Sequence, residues 1–257
     1  MDFVQAAARQ LHEKCQEQNV GLYTTFVDLT KAFDTVCREG LWKIMAKFGC
    51  PEKFIVIVRQ FHDDMNARVQ DDGEYSEPFA VTNGVKQGCV LAPTLFSMVF
   101  SAMLSDAFRE GDIGIGFQFR TDGSLFNLRR LQAKTKVQKD TARDFLFADD
   151  FALNASSKEE MQRSMDAFAR ACDNFGLTIS TKKTEVLHQP PPNVPYVKPD
   201  ISVNGQRLAA VDKFVYLGST LSRSANIDDE VAYRVARASA AFGRLKENVW
   251  ERSGLSI

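Results

Sequence analysis

The chain has 257 residues, 44% of them hydrophobic, and its 32 basic and 33 acidic side chains leave a formal net charge of −1. That is enough chain to bury a substantial core as one large domain or two small ones, and the charge balance excludes binding to nucleic acid by bulk electrostatics, so such a partner must be held by local patches. No stretch reaches the roughly 18 consecutive apolar residues of a membrane-spanning helix, so a soluble, intracellular protein without a membrane partner is expected. The five cysteines Cys15, Cys37, Cys50, Cys89 and Cys172 are odd in number and widely spaced, without a C-x-x-C pair. They argue against a disulfide framework and a zinc site and read as small buried hydrophobes.

In chain order, Phe3, Ala7, Leu11 and Cys15 recur every fourth residue and predict an amphipathic helix. It starts almost at the first residue without a capping signal, as in a chain cut from something longer. After Gly21, Leu22, Thr24 and Phe26 alternate with Tyr23, Thr25 and Val27 in a strand that runs into Asp28 and places it on the Phe26 face. Helices are expected over 38–48 (Leu41, Trp42, Met45, Phe48) and 52–66 (Ile55, Val58, Phe61, Met65), the second opened by Pro51. Asp72-Gly73 predicts a hairpin turn. Asn83 to Gly88 is a polar loop whose glycines permit close approach to a ligand, and it feeds a helix from near Pro93 carrying Phe96, Val99, Phe100, Met103 and Leu104. A second hairpin is expected over 117–128 around Asp122-Gly123. The basic stretch after it, with Arg129, Arg130, Lys134, Lys136, Lys139 and Arg143 opposed only by Asp140, is either a solvated face or a phosphate contact.

Asp149 and Asp150 fall between two short strand-like runs, 144–148 and 151–155, as at a hairpin tip. Ser157 with Glu160 makes a capping box for a helix that Gly176 ends. An extended stretch over 177–188 holds Lys182 and Lys183, and Pro190, Pro191, Pro192, Pro195 and Pro199 form a link too rich in proline for strand or helix. Asn204-Gly205 predicts another hairpin, Phe214 to Gly218 a strand ending at a glycine, and a last helix from about Asp228 carries Val231, Val235, Ala238, Phe242, Leu245 and Val249 on one stripe.

Buried side by side, two aspartates must be paired or bound to metal; otherwise Asp-Asp is a solvated turn. A strand-end Asp28 and a hairpin-tip Asp149-Asp150 converge if their strands are neighbours in one antiparallel sheet, because neighbouring strands lie about 5 Å apart. Three carboxylates that close repel one another unless divalent cations neutralise them. Oxygen donors without His or Cys select a hard ion such as magnesium, and two ions about 4 Å apart serve in-line phosphoryl transfer. The Gln87 loop and the lysine at 182 or 183 then supply contacts to a polyphosphate and a proton donor.

Read in order, Asp28-Leu29-Thr30-Lys31-Ala32-Phe33-Asp34, Asn83 to Cys89 with Pro93 and Leu95-Phe96, Phe147-Ala148-Asp149-Asp150, Gly176 to Ser180 with Lys183-Thr184-Glu185, and Tyr216-Leu217-Gly218 resemble the successive motifs of reverse transcriptases of non-LTR (LINE-type) retrotransposons. The resemblance implies an α+β fold. It is a right-hand polymerase palm, an antiparallel sheet backed by helices, with partial fingers and no complete thumb. Residues 1–20 would be a finger or palm-entry helix, 21–188 the palm, and 189–257 the proline-rich link, primer-grip hairpin and C-terminal helix. The implied activity is RNA-directed DNA polymerisation from dNTPs, an RNA template and a DNA primer with two magnesium ions, manganese being a possible substitute.

Carried over by position, Asp28 and Asp149 match the metal-binding pair and Asp150 the supporting third carboxylate. Phe33 matches an aromatic under the sugar, Gln87 and Gly88 a loop touching nucleotide and template, and Lys183 the lysine near the pyrophosphate. Tyr216, Leu217 and Gly218 match the turn that grips the primer. Asp34 and Lys31 are expected to be structural. Phe147 stands where many relatives have tyrosine, which keeps the packing and loses a hydroxyl. The alternative from another class is a catalytically inactive palm remnant that binds RNA or acts as a scaffold, and for this length of chain activity in isolation is an open expectation. The family implies nucleus and cytoplasm.

Overall fold

The structure, a computed structural model, describes residues 2–109, 114–120, 137–224, 227–246 and 249. Its helices are α1 (Asp2–Glu17), α2 (Arg38–Lys47), α3 (Glu52–Gln60), α4 (Ala92–Ala107), α5 (Lys158–Phe175) and α6 (Ile227–Leu245). Its longer strands and hairpins begin with β1 (Leu22–Val27), β2 (Asn66–Ala67), β3 (Gln70–Asp71), β4 (Glu74–Tyr75), β5 (Phe79–Ala80), β6 (Ile115–Arg120) and β7 (Val137–Ala142). They continue with β8 (Asp144–Phe147), β9 (Asp150–Ala155), β10 (Glu185–Gln189), β11 (Ser202–Val203), β12 (Gln206–Arg207), β13 (Ala209–Val211), β14 (Lys213–Tyr216) and β15 (Ser219–Ser222).

β1 lies at the centre of a five-stranded sheet ordered β13-β10-β1-β9-β8. It runs antiparallel to both neighbours, pairing Phe26 with Glu185 on β10 and Val27 with Phe151 on β9. β13 joins the far edge parallel to β10, so the segment after the proline-rich link contributes to the same sheet. A central strand is covered on both faces, and alternation along β1 accomplishes this. Val27, with Phe151, Leu153 and Val186, faces the core built by α2, α4 and α5. There Phe151 stacks on Phe168 at 4.8 Å between centroids and meets Phe100 edge-on at 5.1 Å. Phe26, with Ala152 and Leu187, faces Ala8 of α1 and Tyr216, Leu217 and Leu221 of the β14–β15 hairpin. The fold is therefore mixed α+β, with an antiparallel-rich sheet backed by helices, as expected.

Most predicted elements form where their patterns place them. α5 starts at Ser157, whose hydroxyl accepts from the Glu160 N–H at 3.2 Å, and ends at Gly176, which takes φ 71. Asp72-Gly73 and Asn204-Gly205 are turns with positive φ at both central residues. Three expectations need correction. The second helix stops at Gln60 rather than 66, because Asp64 takes φ 54 and the His62 carbonyl is taken by Arg38; Phe61 is consequently 67% exposed. β6 pairs Phe117 with Asp140 on β7 rather than with a partner before 128, so Lys139 and Asp140 belong to a strand. Within the stretch 177–188, only Glu185 onward is strand, and 177–184 is a loop sewn to the end of β1. The apolar stripe on the last helix is uncovered at Val231 and Val235. The Asp122-Gly123 turn and Arg129, Arg130, Lys134 and Lys136 lie outside the described residues. Among the described residues no helix is long and apolar enough to cross a membrane.

Candidate active site

Because β1 is antiparallel to both neighbours, its C-terminal end meets the N-terminal ends of β9 and β10. Three segments of the predicted site thus arrive at one end of the sheet. Asp28 follows β1, Asp149 occupies the two-residue turn between β8 and β9, and Lys183 precedes β10. Extending the β1–β9 register by one residue beyond Val27 and Phe151 sets Asp28 opposite Asp150. The Asp28 backbone is tied down on its other side. Its N–H donates to the hydroxyl of the fully buried Thr184 at 3.2 Å, and its carbonyl accepts from the Ser180 N–H at 2.8 Å. Leu29 bridges to Ile179, and the Thr30 N–H donates to the Thr178 carbonyl at 2.8 Å.

The electrostatics agree with this convergence. The Asp150 carboxyl pKa is raised, first by loss of solvent and then by the charges of Asp149 and Asp28. The Lys183 ammonium lies 3.8 Å from Asp28 Oδ1. With the lysine side chain 73% and the aspartate 41% exposed, that pair is weak and readily exchanged. At the tip Ala148 takes φ 54, a costly position for a residue with a Cβ. The donor set, carboxylate oxygens without His or Cys, fits a hard divalent cation. Among the described residues, however, no three His, Cys, Asp or Glu side chains are grouped so as to hold an ion as they stand.

The loop of Gln87 is docked directly on the turn after Asp28. The Val85 N–H donates to the Phe33 carbonyl and the Gly84 N–H to the Val36 carbonyl, both at 2.8 Å. Gly84 takes φ 81, and a Cβ there would stand 2.6 Å from the Asp34 carbonyl oxygen, so only glycine fits. Val85 is buried while Gln87 and Gly88 are exposed, the latter at φ 87. Phe33, the residue matched to an aromatic under the sugar, lies beside this loop. It is 8% exposed and packs against Phe96 at 4.7 Å between centroids. Its carbonyl meets the loop, while its ring belongs to the core.

Arg38 was not singled out by the sequence. Its guanidinium donates to four backbone carbonyls: His62 at 2.7 Å, Val81 at 2.9 Å, Gly84 at 2.9 Å and Asn83 at 3.2 Å. Burial lowers its pKa, and the charge of Asp63 partly offsets this. A cation at the first position of a helix opposes the helix dipole, and that misplacement was the available signal.

A further predicted segment, the turn at 216–218, also reaches this end of the sheet. Tyr216 is buried; its ring leans on Phe26 at 5.4 Å, and its hydroxyl donates to the Phe145 carbonyl at 3.4 Å. Burial raises its pKa first and the Asp150 charge adds to it, so the hairpin lies on the face where the carboxylates gather. Leu217 takes φ 49 and is buried, while Gly218 at φ 82 is exposed.

A sequence profile of the family described as "Reverse transcriptase (RNA-dependent DNA polymerase)" matches residues 1–221. The chain belongs to this family. The chain is 27% identical over 232 residues to "RNA-directed DNA polymerase from mobile element jockey" of Drosophila melanogaster, covering 83% of this chain and 22% of that protein. It is 24% identical over 220 residues to the "Retrovirus-related Pol polyprotein from type-1 retrotransposable element R2" of Popillia japonica, covering 82% of this chain and 32% of the relative. The chain therefore spans about a fifth to a third of these relatives. The expected resemblance to reverse transcriptases of non-LTR retrotransposons is borne out. Among solved structures, apo telomerase from Candida tropicalis superposes with TM-score 0.55 at 14% identity, over 87% of this chain and 35% of the other, a likeness of fold.

Proposed function

We propose that this chain carries the palm chemistry of RNA-directed DNA synthesis, adding dNTPs to the 3′-hydroxyl of a DNA primer on an RNA template. The observation that carries the reading is the meeting of Asp28, the Asp149-Asp150 tip and Lys183 at one end of a single antiparallel sheet. In this reading the primer oxygen attacks the α-phosphorus and pyrophosphate leaves. Asp28 and Asp149 would hold divalent ions, magnesium or in substitution manganese, with Asp150 in support. Two such ions, when bound, lower the pKa of the attacking hydroxyl and stabilise the leaving oxygen.

The protein's own groups do the rest. Lys183, exposed beside Asp28, donates to the departing pyrophosphate. Gln87 and the open backbone at Gly88 contact the incoming nucleotide and the template. Phe33, locked against Phe96, forms a rigid floor below the nucleotide sugar. Gly218 presents the exposed backbone of the turn to the primer end, and Tyr216 and Leu217 fix that turn from beneath. The segment 21–188 supplies the palm, and 189–257 supplies the hairpin and last helix. Action in the nucleus and cytoplasm accords with this family.

Primer extension on an RNA template with magnesium tests the reading, comparing the chain with Asp149→Ala. Nucleotide addition is expected from the first, with a loss on the order of 10²–10³-fold in the second, the size seen when a group that stabilises developing charge is removed. A chain that binds primer and template normally and adds no nucleotide is a palm remnant.

A further inference from the structure

The turn at Tyr216-Leu217-Gly218 depends on a conformation that its sequence disfavours. Leu217 takes φ 49, where a branched side chain persists only if its surroundings over-determine it. Part of that determination is packing of Leu217 in the cluster with Ala8, Phe26 and Leu221. The rest comes from the two residues that follow the turn. Thr220 is paired with Val215, one step beyond the Tyr216–Ser219 pair that closes the turn, so its N–H and C=O point away from β14. Two charged side chains from opposite ends of the chain meet these groups.

From α1, the Arg9 guanidinium donates to Ser219 Oγ at 3.1 Å and to the Thr220 carbonyl at 3.4 Å. From α6, the Glu230 carboxylate accepts from the Thr220 N–H and from Ser219 Oγ, the latter at 3.3 Å, and also from Arg234 Nε. The Ser219 hydroxyl thus accepts from Arg9 and donates to Glu230, a chain with one proton direction. Glu230 is 3% exposed, whereas Val231 and Val235 on the same helix are 52% and 59% exposed. α6 therefore turns a carboxylate, not its apolar stripe, to the hairpin. Burial alone would raise the Glu230 pKa, but the hydrogen bonds from Thr220 and Arg234 outweigh it and lower it, so the clamp is charged.

We infer that Arg9 and Glu230 are positioning residues that clamp Ser219 and Thr220 and so hold the Leu217-Gly218 turn in register with the catalytic hairpin for the primer 3′ end. The inference rests on the polymerase reading above. Arg9→Ala and Glu230→Ala are expected to lower kcat about ten- to a hundredfold with the dNTP KM unchanged, the size of effect that slight misplacement produces. With 2-aminopurine as the primer-terminal base, both variants are expected to raise its fluorescence as the terminus loosens. Arg9→Lys and Glu230→Gln, which keep a donor and an acceptor, should restore most of both signals. Val235→Ala, exposed on α6, should alter neither.

Circular dichroism establishes that each variant is folded. A folded Glu230→Ala protein with wild-type kcat and a wild-type terminus signal overturns the clamp, as does an equal loss in Val235→Ala. A wild-type chain that binds primer and template but adds no nucleotide overturns the polymerase reading alone. The terminus signal still reports the clamp in that case.

Discussion

At Gly84 one missing side chain decides whether two motifs meet. The left-handed φ and the Asp34 backbone 2.6 Å from the position of a Cβ leave no room for alanine. Gly84→Ala is expected to destabilise the protein by about 2–4 kcal/mol, combining overpacking with left-handed strain. It should also raise the dNTP KM, because Gln87 and Gly88 hang from the displaced segment. Urea denaturation and primer extension measure the two effects, and an unchanged KM would separate the loop from nucleotide binding. The same scale explains the reading of Phe33. A phenylalanine five residues after Asp28 looks identical in sequence whether or not its ring packs into the core, and the Phe96 ring 4.7 Å away shows that it does.

Between elements, buried polar pairs fix orientation where apolar packing alone would permit sliding. His12 of α1 and Gln189 of β10 form such a pair: His12 Nδ1 donates to Gln189 Oε1 at 2.9 Å, and Gln189 Nε2 donates to the His12 carbonyl at 2.9 Å. Burial lowers the His12 pKa from 6.5 to about 4; the Gln189 hydrogen bond opposes this and the Arg9 charge adds to it. A folded pKa below the unfolded one means that the unfolded chain takes up the proton first as pH falls. His12 therefore contributes stability that is complete above pH 6.5 and lost progressively down to about pH 4. The full loss corresponds to roughly 3 kcal/mol. Urea titrations across this range should show that slope in the wild type, and His12→Gln should remove most of it; equal slopes would mean that His12 is not buried neutral. Arg38 plays a comparable part for α2, tying it by four carbonyls to the segments at His62 and 81–84.

Over the whole molecule, one sheet with two covered faces supports the site. Phe168 is fully buried between Phe151 and Phe100, in the core shared by α2, α4 and α5. Phe168→Ala should cost about 3–5 kcal/mol through lost transfer energy and a cavity. Because the carboxylate end of the sheet is built on the same strands, far-UV circular dichroism should show the unfolding midpoint falling as a single transition. Two separated transitions would show that the helical layer and the sheet do not unfold together. At a formal net charge of −1 the molecule has no overall attraction for a polyanion. Any hold on primer and template must therefore come from local groups such as Lys183 and the loop amides.

Most of the elements, and the order of the motifs, follow from the chain's local chemistry. Strand alternation around Phe26, the capping residues Ser157 and Gly176, and the Asn204-Gly205 turn are local matters, settled by steric and hydrogen-bonding rules that span a few residues. Local chemistry also names the residues that meet at the sheet end, because an aspartate, a glycine loop, an aspartate pair and a lysine in that order carry their chemistry with them. Pairing and burial are non-local, and there the local pattern was insufficient. The partner of β6, the early stop of α3, the buried ring of Phe33, the carbonyl cluster on Arg38 and the carboxylate that α6 turns to the hairpin each depend on segments distant in the chain. No periodicity encodes which distant backbone group a side chain will find; that is settled when α1, the sheet and α6 pack together.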